Sequence, residues 1–201
     1  MKKILIIITA ALGCLACGTK DLDPSFGTEE ECRYDGMQLK GQWEQIVEEA
    51  AERPVQSLAC QKVVRLAQYR LGQAGTEAIR ECLANTKEVI TSETAAMMMS
   101  DVYIQLGFAS LAQRAAFEAM VKTRNEELRG RALQRLTETA IITRQYDVAR
   151  KYIAVIEERG VSQEWLQTIK PMAEHPETIG KNPTFKNLQE QYDKTEDIFF
   201  M

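Results

Sequence analysis

The stretch that decides the fold is residues 95–120, AAMMMSDVYIQLGFASLAQRAAFEAM. Apolar side chains recur there every three or four residues, which predicts two amphipathic helices on either side of the phrase Gly107-Phe108-Ala109. The two stripes are Ala95, Met98, Met99, Val102 and Leu106, and then Ala112, Ala115, Ala116, Ala119 and Met120. Helices joined by so short a connection pack antiparallel, so this stretch predicts a helical hairpin.

The turn phrase recurs along the chain. It aligns with Gly41-Gln42-Trp43, Gly72-Gln73-Ala74 and Arg144-Gln145-Tyr146, at successive spacings of 31, 35 and 37 residues. Tetratricopeptide repeats, each a pair of helices, have a period of about 34 residues. We therefore expect an all-α fold, a short right-handed tetratricopeptide-like α-solenoid of about four helix pairs plus a capping helix.

Apolar periodicity and N-cap residues such as Thr28 and Ser162 place the individual helices. The expected helices are 29–40, 43–52, 57–71, 75–84, 93–106, 109–122, 127–142, 146–158 and 162–171. Beyond Pro171 the prolines and Gly180 predict loop-like chain, and the apolar end 198–201 is expected to dock onto the last helices.

The N-terminus has the layout of a secretory signal. Lys2 and Lys3 precede an apolar run over 4–12 that is too short to span a membrane. The residues that follow, Leu15-Ala16-Cys17, resemble the lipobox of bacterial lipoproteins, in which a cysteine is acylated and becomes the new N-terminus. This resemblance implies a lipoprotein signal peptide over 1–16 and a lipid anchor at Cys17, with Cys14 as the alternative; an ordinary cleaved signal is the simpler interpretation.

Residues 17–28 contain few large apolar groups, and we expect a flexible tether there. Residues 29–201 then form one helical repeat domain. Without Lys2 and Lys3 the chain has 23 basic and 29 acidic residues, a net charge of −6, which argues against a nucleic-acid partner. A lipid-anchored exported chain is expected at the cell envelope, and an acidic tether is similar to the signals that lead some lipoproteins to the outer membrane.

No catalytic centre, metal site or cofactor is predicted. The one histidine, His175, has no second histidine for a zinc site and is interpreted as a loop residue. The run 97–99 of three methionines is interpreted as core packing. Cys60 and Cys82 either form a disulfide or are, with Cys32, small buried apolar residues.

The fourth repeat of this acidic chain is rich in arginine. One interpretation is a patch for anions or acidic peptides that lines the groove of the solenoid. The other is a solvated face paired with Glu126, Glu127 and Glu138. The residues concerned are Arg124, Arg129, Arg131, Arg135, Arg144 and Arg150. Trp43 occupies the same position in the first turn phrase as Tyr146 does in the fourth, and we expect it in the core. For Trp165 the sequence does not decide between a core and a surface position.

Several phrases are similar to the soluble, tetratricopeptide-like C-terminal part of a family of uncharacterised multi-span bacterial envelope proteins. They are Leu106-Gly107, Ala112-Gln113-Arg114, Phe117-Glu118-Ala119-Met120, Arg135-Leu136-Thr137-Glu138-Thr139, Gln145-Tyr146-Asp147-Val148-Ala149, His175-Pro176-Glu177 and Thr195-Glu196-Asp197-Ile198-Phe199-Phe200. The family has no assigned activity, and here a lipid anchor stands where it has a transmembrane bundle.

The resemblance therefore implies a fold and a location, and it adds no site. We expect a membrane-tethered envelope lipoprotein acting as a non-catalytic protein or peptide interaction module, with an envelope protein or peptide as partner. The alternative is an accessory lipoprotein that binds a glycan or another nutrient for uptake. The oligomeric state stays open.

Overall fold

A computed structural model describes residues 25–160 and 163–194, and within these ranges the chain contains helices and no strands. The helices are α1 Glu29–Leu39, α2 Trp43–Glu52, α3 Leu58–Arg70, α4 Thr76–Leu83, α5 Glu93–Gln105, α6 Ala109–Lys122, α7 Glu126–Ile142, α8 Tyr146–Glu158, α9 Gln163–Glu174, a 3-10 helix Pro176–Lys181, and α10 Pro183–Lys194. None of them is long and apolar enough to cross a membrane.

The helices form two layers. Helices α1, α3, α5, α7 and α9 pack against one another in that order. Each of α2, α4, α6 and α8 packs on the helix before it and on the helix after it. Stacked helix pairs of this kind form an all-α, solenoid-like fold, which confirms the predicted fold class.

The four aligned phrases are the four turns within the pairs. Their first residues, Gly41, Gly72, Gly107 and Arg144, all have positive φ, between 61° and 86°. In each turn this residue donates its N–H to the carbonyl three residues back, and the next residue donates to the carbonyl five residues back, at 2.7–3.1 Å. This pair of bonds is the Schellman motif, which satisfies the last carbonyls of a helix. Ala112 and Ala149, five residues into the third and fourth phrases, are fully buried.

Helix α5 lies at the centre of the stack, and all residues from Glu93 to Ile104 are buried. It contacts helices of both layers, so no side of it faces solvent. This explains why Met97, outside the predicted stripe, is as buried as Met98 and Met99. Met97 packs in a second apolar cluster, against Ala116 and other side chains of α6 and α7.

The segment before α1 is joined to the start of α5. Ser25 and Phe26 accept hydrogen bonds from the backbone N–H groups of Glu93 and Thr94, at 3.0 and 2.9 Å. The predicted N-cap at Thr28 is confirmed, since Thr28 and Glu31 form a reciprocal capping box. Of the predicted tether, residues 25–28 are thus held against the domain, while Cys17 and Cys14, the two candidates for the predicted lipid anchor, lie outside the described residues.

The loop predicted beyond Pro171 is wrong. Helix α9 continues through Pro171 to Glu174, and its last turn buries Met172 and Ala173, which offsets the hydrogen bond that proline removes. A further helix, α10, begins at Pro183 in the first helical position, where its missing N–H costs nothing. The side chain of Asn182 caps α10 by accepting from the N–H groups of residues 184 and 185. The predicted docking of 198–201 and the N-cap at Ser162 lie outside the described residues.

Helix α10 packs back onto α7, across the turns of the third and fourth pairs. Gln189 donates to the carbonyl of Ile141 at 2.9 Å and to the hydroxyl of Tyr146 at 3.3 Å. A Cβ added at Gly107 would lie 2.7 Å from the side-chain oxygen of Gln191. The C-terminal helix therefore covers one edge of the stack.

Candidate functional site

Two of the predicted arginines lie together in a half-buried ionic cluster of Asp35, Asp101, Arg131, Arg135 and Glu138. Arg131 of α7 binds both oxygens of Asp35 of α1, each at 2.7 Å, and also pairs with Asp101 of α5. Arg135 pairs with Asp101 at 2.6 Å and with Glu138 at 2.9 Å. Three carboxylates thus surround two guanidinium groups, which leaves no excess positive charge for an anionic ligand.

The pKa values of the cluster reflect its burial. Burial alone would raise the pKa of Asp101, but the guanidinium groups of Arg131 and Arg135 outweigh it and hold that pKa below its usual value. Burial raises the pKa of Asp35, and its pairing with Arg131 opposes that rise. The Nε–H groups of Arg131 and Arg135 are buried with no hydrogen-bond acceptor in the described part of the chain. The cluster therefore joins α1, α5 and α7 by charge.

The other predicted arginines lie elsewhere. Arg129 pairs with Glu126 at 2.6 Å, and Arg144 binds both oxygens of Asp193 in α10 at 2.7 Å. Arg124 is exposed and forms no ion pair within 25–160 and 163–194. The structure therefore does not assemble these arginines into one surface, and their partners include aspartates that the sequence did not indicate, besides the predicted Glu126 and Glu138.

The remaining candidate residues have structural positions. Cys60 and Cys82 are free thiols and are buried, and burial raises the pKa of Cys82 to about 11. His175 is exposed, with Nδ1 3.6 Å from a carboxylate oxygen of Glu177. Trp165 packs against the core and donates Nε1–H to Glu138 at 3.2 Å. The described residues contain no group of three or more histidine, cysteine or carboxylate side chains placed to hold a metal ion.

Trp43 is partly buried, with the guanidinium of Arg70 5.0 Å from its ring centroid. Among large apolar side chains in the described ranges, the well-exposed aromatic ones are Tyr69 of α3 and Phe117 of α6. They lie on helices of different pairs, so these two side chains do not form an aromatic cluster of the kind that stacks on sugars.

The site that sequence analysis missed is an open groove of about 590 Å³ over α3, between α2 and α4. We call it the α3 groove. Its floor is a stripe along α3, its first wall is the apolar side of α2, and its second wall is the end of α4. The lining residues are Val47, Ala50, Ala51, Val55, Leu58, Gln61, Lys62, Val64, Arg65, Gln68, Glu81, Ala84 and Asn85.

Lys62 fixes the second wall. Its ammonium group donates to the carbonyls of Glu81 at 2.8 Å and Cys82 at 3.1 Å, and also to that of Ala84. These carbonyls belong to the last turn of α4 and to its C-cap residue Ala84, where the regular hydrogen bonds of the helix run out; that of Glu81 also accepts from the N–H of Ala84 at 3.3 Å. Desolvation lowers the pKa of Lys62, and the three carbonyl bonds hold its ammonium group in place. Lys62 therefore ends α4 at the rim of the groove.

Comparison with known proteins places the chain in a family. A model of a family of unknown function (DUF6057) matches residues 2–201. No curated protein and no solved structure matches the chain significantly. Since the family model covers nearly the whole sequence, this chain belongs to the family of unknown function DUF6057.

Proposed function

We propose that this protein is a lipid-tethered component of the bacterial cell envelope whose helical domain is a non-catalytic docking module for another envelope protein. The observation that supports this most is the α3 groove, because it leaves the apolar side of α2 and a face of α3 open to solvent. Helical repeat proteins use such elongated surfaces to bind extended or helical segments of their partners.

The position of Ser25, the first residue that the structure describes, is consistent with a membrane tether. Ser25 is hydrogen-bonded to the start of α5, and it follows Cys17 by eight residues. A fully extended chain of that length spans about 27 Å. An acyl group on Cys17 would therefore keep the module within a short distance of the bilayer surface.

The anchor is tested by metabolic labelling with an alkyne-bearing palmitate in the bacterium that produces the protein. We expect label on the wild-type chain and recovery of the chain in the membrane fraction. Cys17→Ala should remove both, and Cys14→Ala should preserve both. Loss of label only in Cys14→Ala would move the anchor to Cys14, and an unlabelled wild-type chain would refute the lipoprotein proposal.

The docking function is tested by crosslinking in intact cells, followed by purification of the full chain and mass spectrometry. We expect one envelope protein to be enriched in stoichiometric amount, with crosslinks to defined residues of the helical domain. A chain that forms no protein crosslinks but retains soluble glycans on the purified protein would contradict the docking proposal. That outcome would support the alternative of an accessory binding protein for nutrient uptake.

A further inference from the structure

Helix α10 packs over the turns of the third and fourth pairs and stops short of the first two. Gln191, in its last turn, lies against Gly107 of the third turn, and Asp193 pairs back to the fourth. Gly107 is buried, whereas Gly41 and Gly72, the corresponding residues of the first two turns, are exposed. The chain that follows α10 therefore starts at the border between the covered and the exposed turns.

A hydrogen bond leads across this border to the end of α3. Gln105, two residues before Gly107, accepts from the guanidinium of Arg70 at 2.9 Å. Arg70 is the last residue of α3. Because Gln191 lies against Gly107, the end of α10 is close to the end of α3.

Arg70 has a positive charge without a carboxylate partner in the described ranges. Its guanidinium lies 5.0 Å from the ring centroid of Trp43, and the group to which it donates, the amide of Gln105, is neutral. Desolvation lowers the pKa of Arg70, and no carboxylate of the described residues is close enough to oppose that change. Of the acidic residues at the starts of α2 and α4, Glu77 bonds to the backbone of its own turn, and Glu44 is not paired with Arg70.

Apolar surface lies beside this charge. Leu39, the last residue of α1, is 47% exposed, and Trp43, which follows the first turn, is only partly buried. Lys40 lies between them and is also exposed. We call Leu39, Lys40, Trp43 and Arg70 the α1–α3 edge. It combines apolar groups with two cations that form no ion pair within 25–160 and 163–194.

Residues 195–201 have the complementary composition. They read TEDIFFM, so that Glu196 and Asp197 precede four apolar residues and no basic residue is present. Fully extended, these seven residues span about 23 Å. Packed helices lie about 8–10 Å apart, so the ends of α3 and then of α1 are within their reach from the end of α5.

We propose that residues 195–201 of this chain dock on the α1–α3 edge, with Glu196 or Asp197 paired to Arg70. The apolar residues that follow pack on Trp43 and Leu39. This docking site differs from the last helices, where the sequence alone predicted it. The inference does not depend on the proposed docking function, and it extends the cover that α10 provides to the turns of the first two pairs.

The test uses the full chain in non-ionic detergent, with the photo-reactive benzoylphenylalanine in place of Phe200. We expect crosslinks within one copy of the chain, mapped by mass spectrometry to residues 39–43 and 70–73. Crosslinks mainly to α8, α9 or α10 would show that the segment packs on the last helices and would overturn the proposal. Crosslinks between two copies, or to detergent only, would overturn it as well.

Variants test the ion pair within this contact. Arg70→Met should lower the yield of the crosslink at least threefold, while Arg124→Met, at an exposed arginine on the other end of the stack, should leave it unchanged. Glu196→Gln combined with Asp197→Asn should lower the yield as much as Arg70→Met does, without altering the helical domain. Adding Arg70→Met to that pair should cause no further fall. Equal yields in the two arginine variants, or losses that multiply, would overturn the pairing.

Amide exchange gives a second measurement that needs no crosslinker. The N–H groups of Gly72 and Gln73 are hydrogen-bonded in the second turn, at 3.1 and 2.8 Å. Phe199→Ser combined with Phe200→Ser should speed their exchange at least threefold and leave the fourth turn unchanged, because α10 still covers it. Faster exchange at the fourth turn only, or no change at either turn, would overturn the proposal.

Discussion

At the scale of single residues, the ionic cluster shows where stability depends on charge. Arg131 binds two carboxylates from two different helices, and its side chain is 19% exposed. A residue held in this way is costly to remove, because its partners stay behind as uncompensated charges. Arg124 precedes the same helix but is exposed and without an ion pair in the described ranges, so it has no such role.

We expect Arg131→Met to lower the free energy of unfolding by about 3–5 kcal/mol, since it leaves Asp35 and Asp101 without their shared partner. Arg124→Met is the matched control and should stay within about 0.5 kcal/mol of the wild type. Urea denaturation followed by circular dichroism measures both. Equal stability of the two variants would contradict the importance of the cluster.

Asp101→Asn tests the pH dependence of the same cluster. Burial would raise the pKa of Asp101, yet the two arginines hold it below the unfolded value, so the unfolded chain binds more protons in that interval. The contribution of Asp101 to stability is therefore complete above its unfolded pKa of about 4 and is lost as the pH falls through the folded value. We expect the variant to be about 3 kcal/mol less stable at pH 7, with a difference from wild type that shrinks below about pH 4. A difference that stays constant with pH would contradict this.

At the scale of the helices, both glycine and arginine adopt the left-handed conformation that the first position of each turn requires. Three turns use glycine at the left-handed position, and the fourth uses Arg144 with φ of 61°. Arg144 there binds Asp193 of α10, so the turn without glycine has a side chain that holds the C-terminal helix.

Gly107→Ala and Gly130→Ala make the same substitution with opposite expected effects. Gly107 has φ of 86°, where a Cβ is strained and would meet Gln191, so we expect a loss of about 1–2 kcal/mol and faster amide exchange in α10. Gly130 lies within α7, and a Cβ added there would meet open space, so alanine should stabilise by up to about 1 kcal/mol. Hydrogen exchange and urea denaturation measure both effects. If the two variants changed the free energy of unfolding in the same direction, the roles given to Gly107 and Gly130 would be contradicted.

Most helices were predictable from sequence, because periodicity and caps act locally. The predicted bounds of α2, α6 and α8 agree with the structure at both ends. Helix α10 was missed because prolines and glycine also mark loops, although Asn182-Pro183 is a helix start signal. The ionic cluster could not be predicted, since Asp35 and Arg131 are 96 residues apart. The α3 groove depends on where α4 ends relative to α2, which the spacing of apolar residues does not determine.

At the scale of the whole molecule, several contacts depart from a simple stack of neighbours, including the packing of α1 on α5 and the bonds of Ser25 and Phe26 to the start of α5. The ionic cluster joins the first pair of helices to the fourth, and α10 returns to the turns of the third and fourth pairs. In a repeat protein with only neighbour contacts, terminal repeats can unfold separately from the rest. These long-range contacts link the ends to the centre.

We therefore expect a single cooperative unfolding transition. Trp43 of α2 and Trp165 of α9 report on opposite ends of the stack. The variant Trp43→Phe leaves Trp165 as the reporter, and Trp165→Phe leaves Trp43. The urea midpoints from the fluorescence of the two variants and from circular dichroism should agree once each is corrected for the stability of that variant. In an Arg131→Met background, the midpoint reported by Trp43 should fall below that reported by Trp165. Different midpoints for the two tryptophan reporters in a chain that keeps Arg131 would contradict the expected link between the two ends of the stack.

The bonds from Ser25 and Phe26 to the start of α5 have a mechanical consequence. A partner docked on the module and a lipid fixed in the bilayer would pull on the chain in opposite directions. Because the segment before α1 is hydrogen-bonded to α5, the most enclosed helix, this tension would act on α5 before it acts on α1. A lipid anchor at Cys17 would thus be connected to the centre of the stack rather than to its edge.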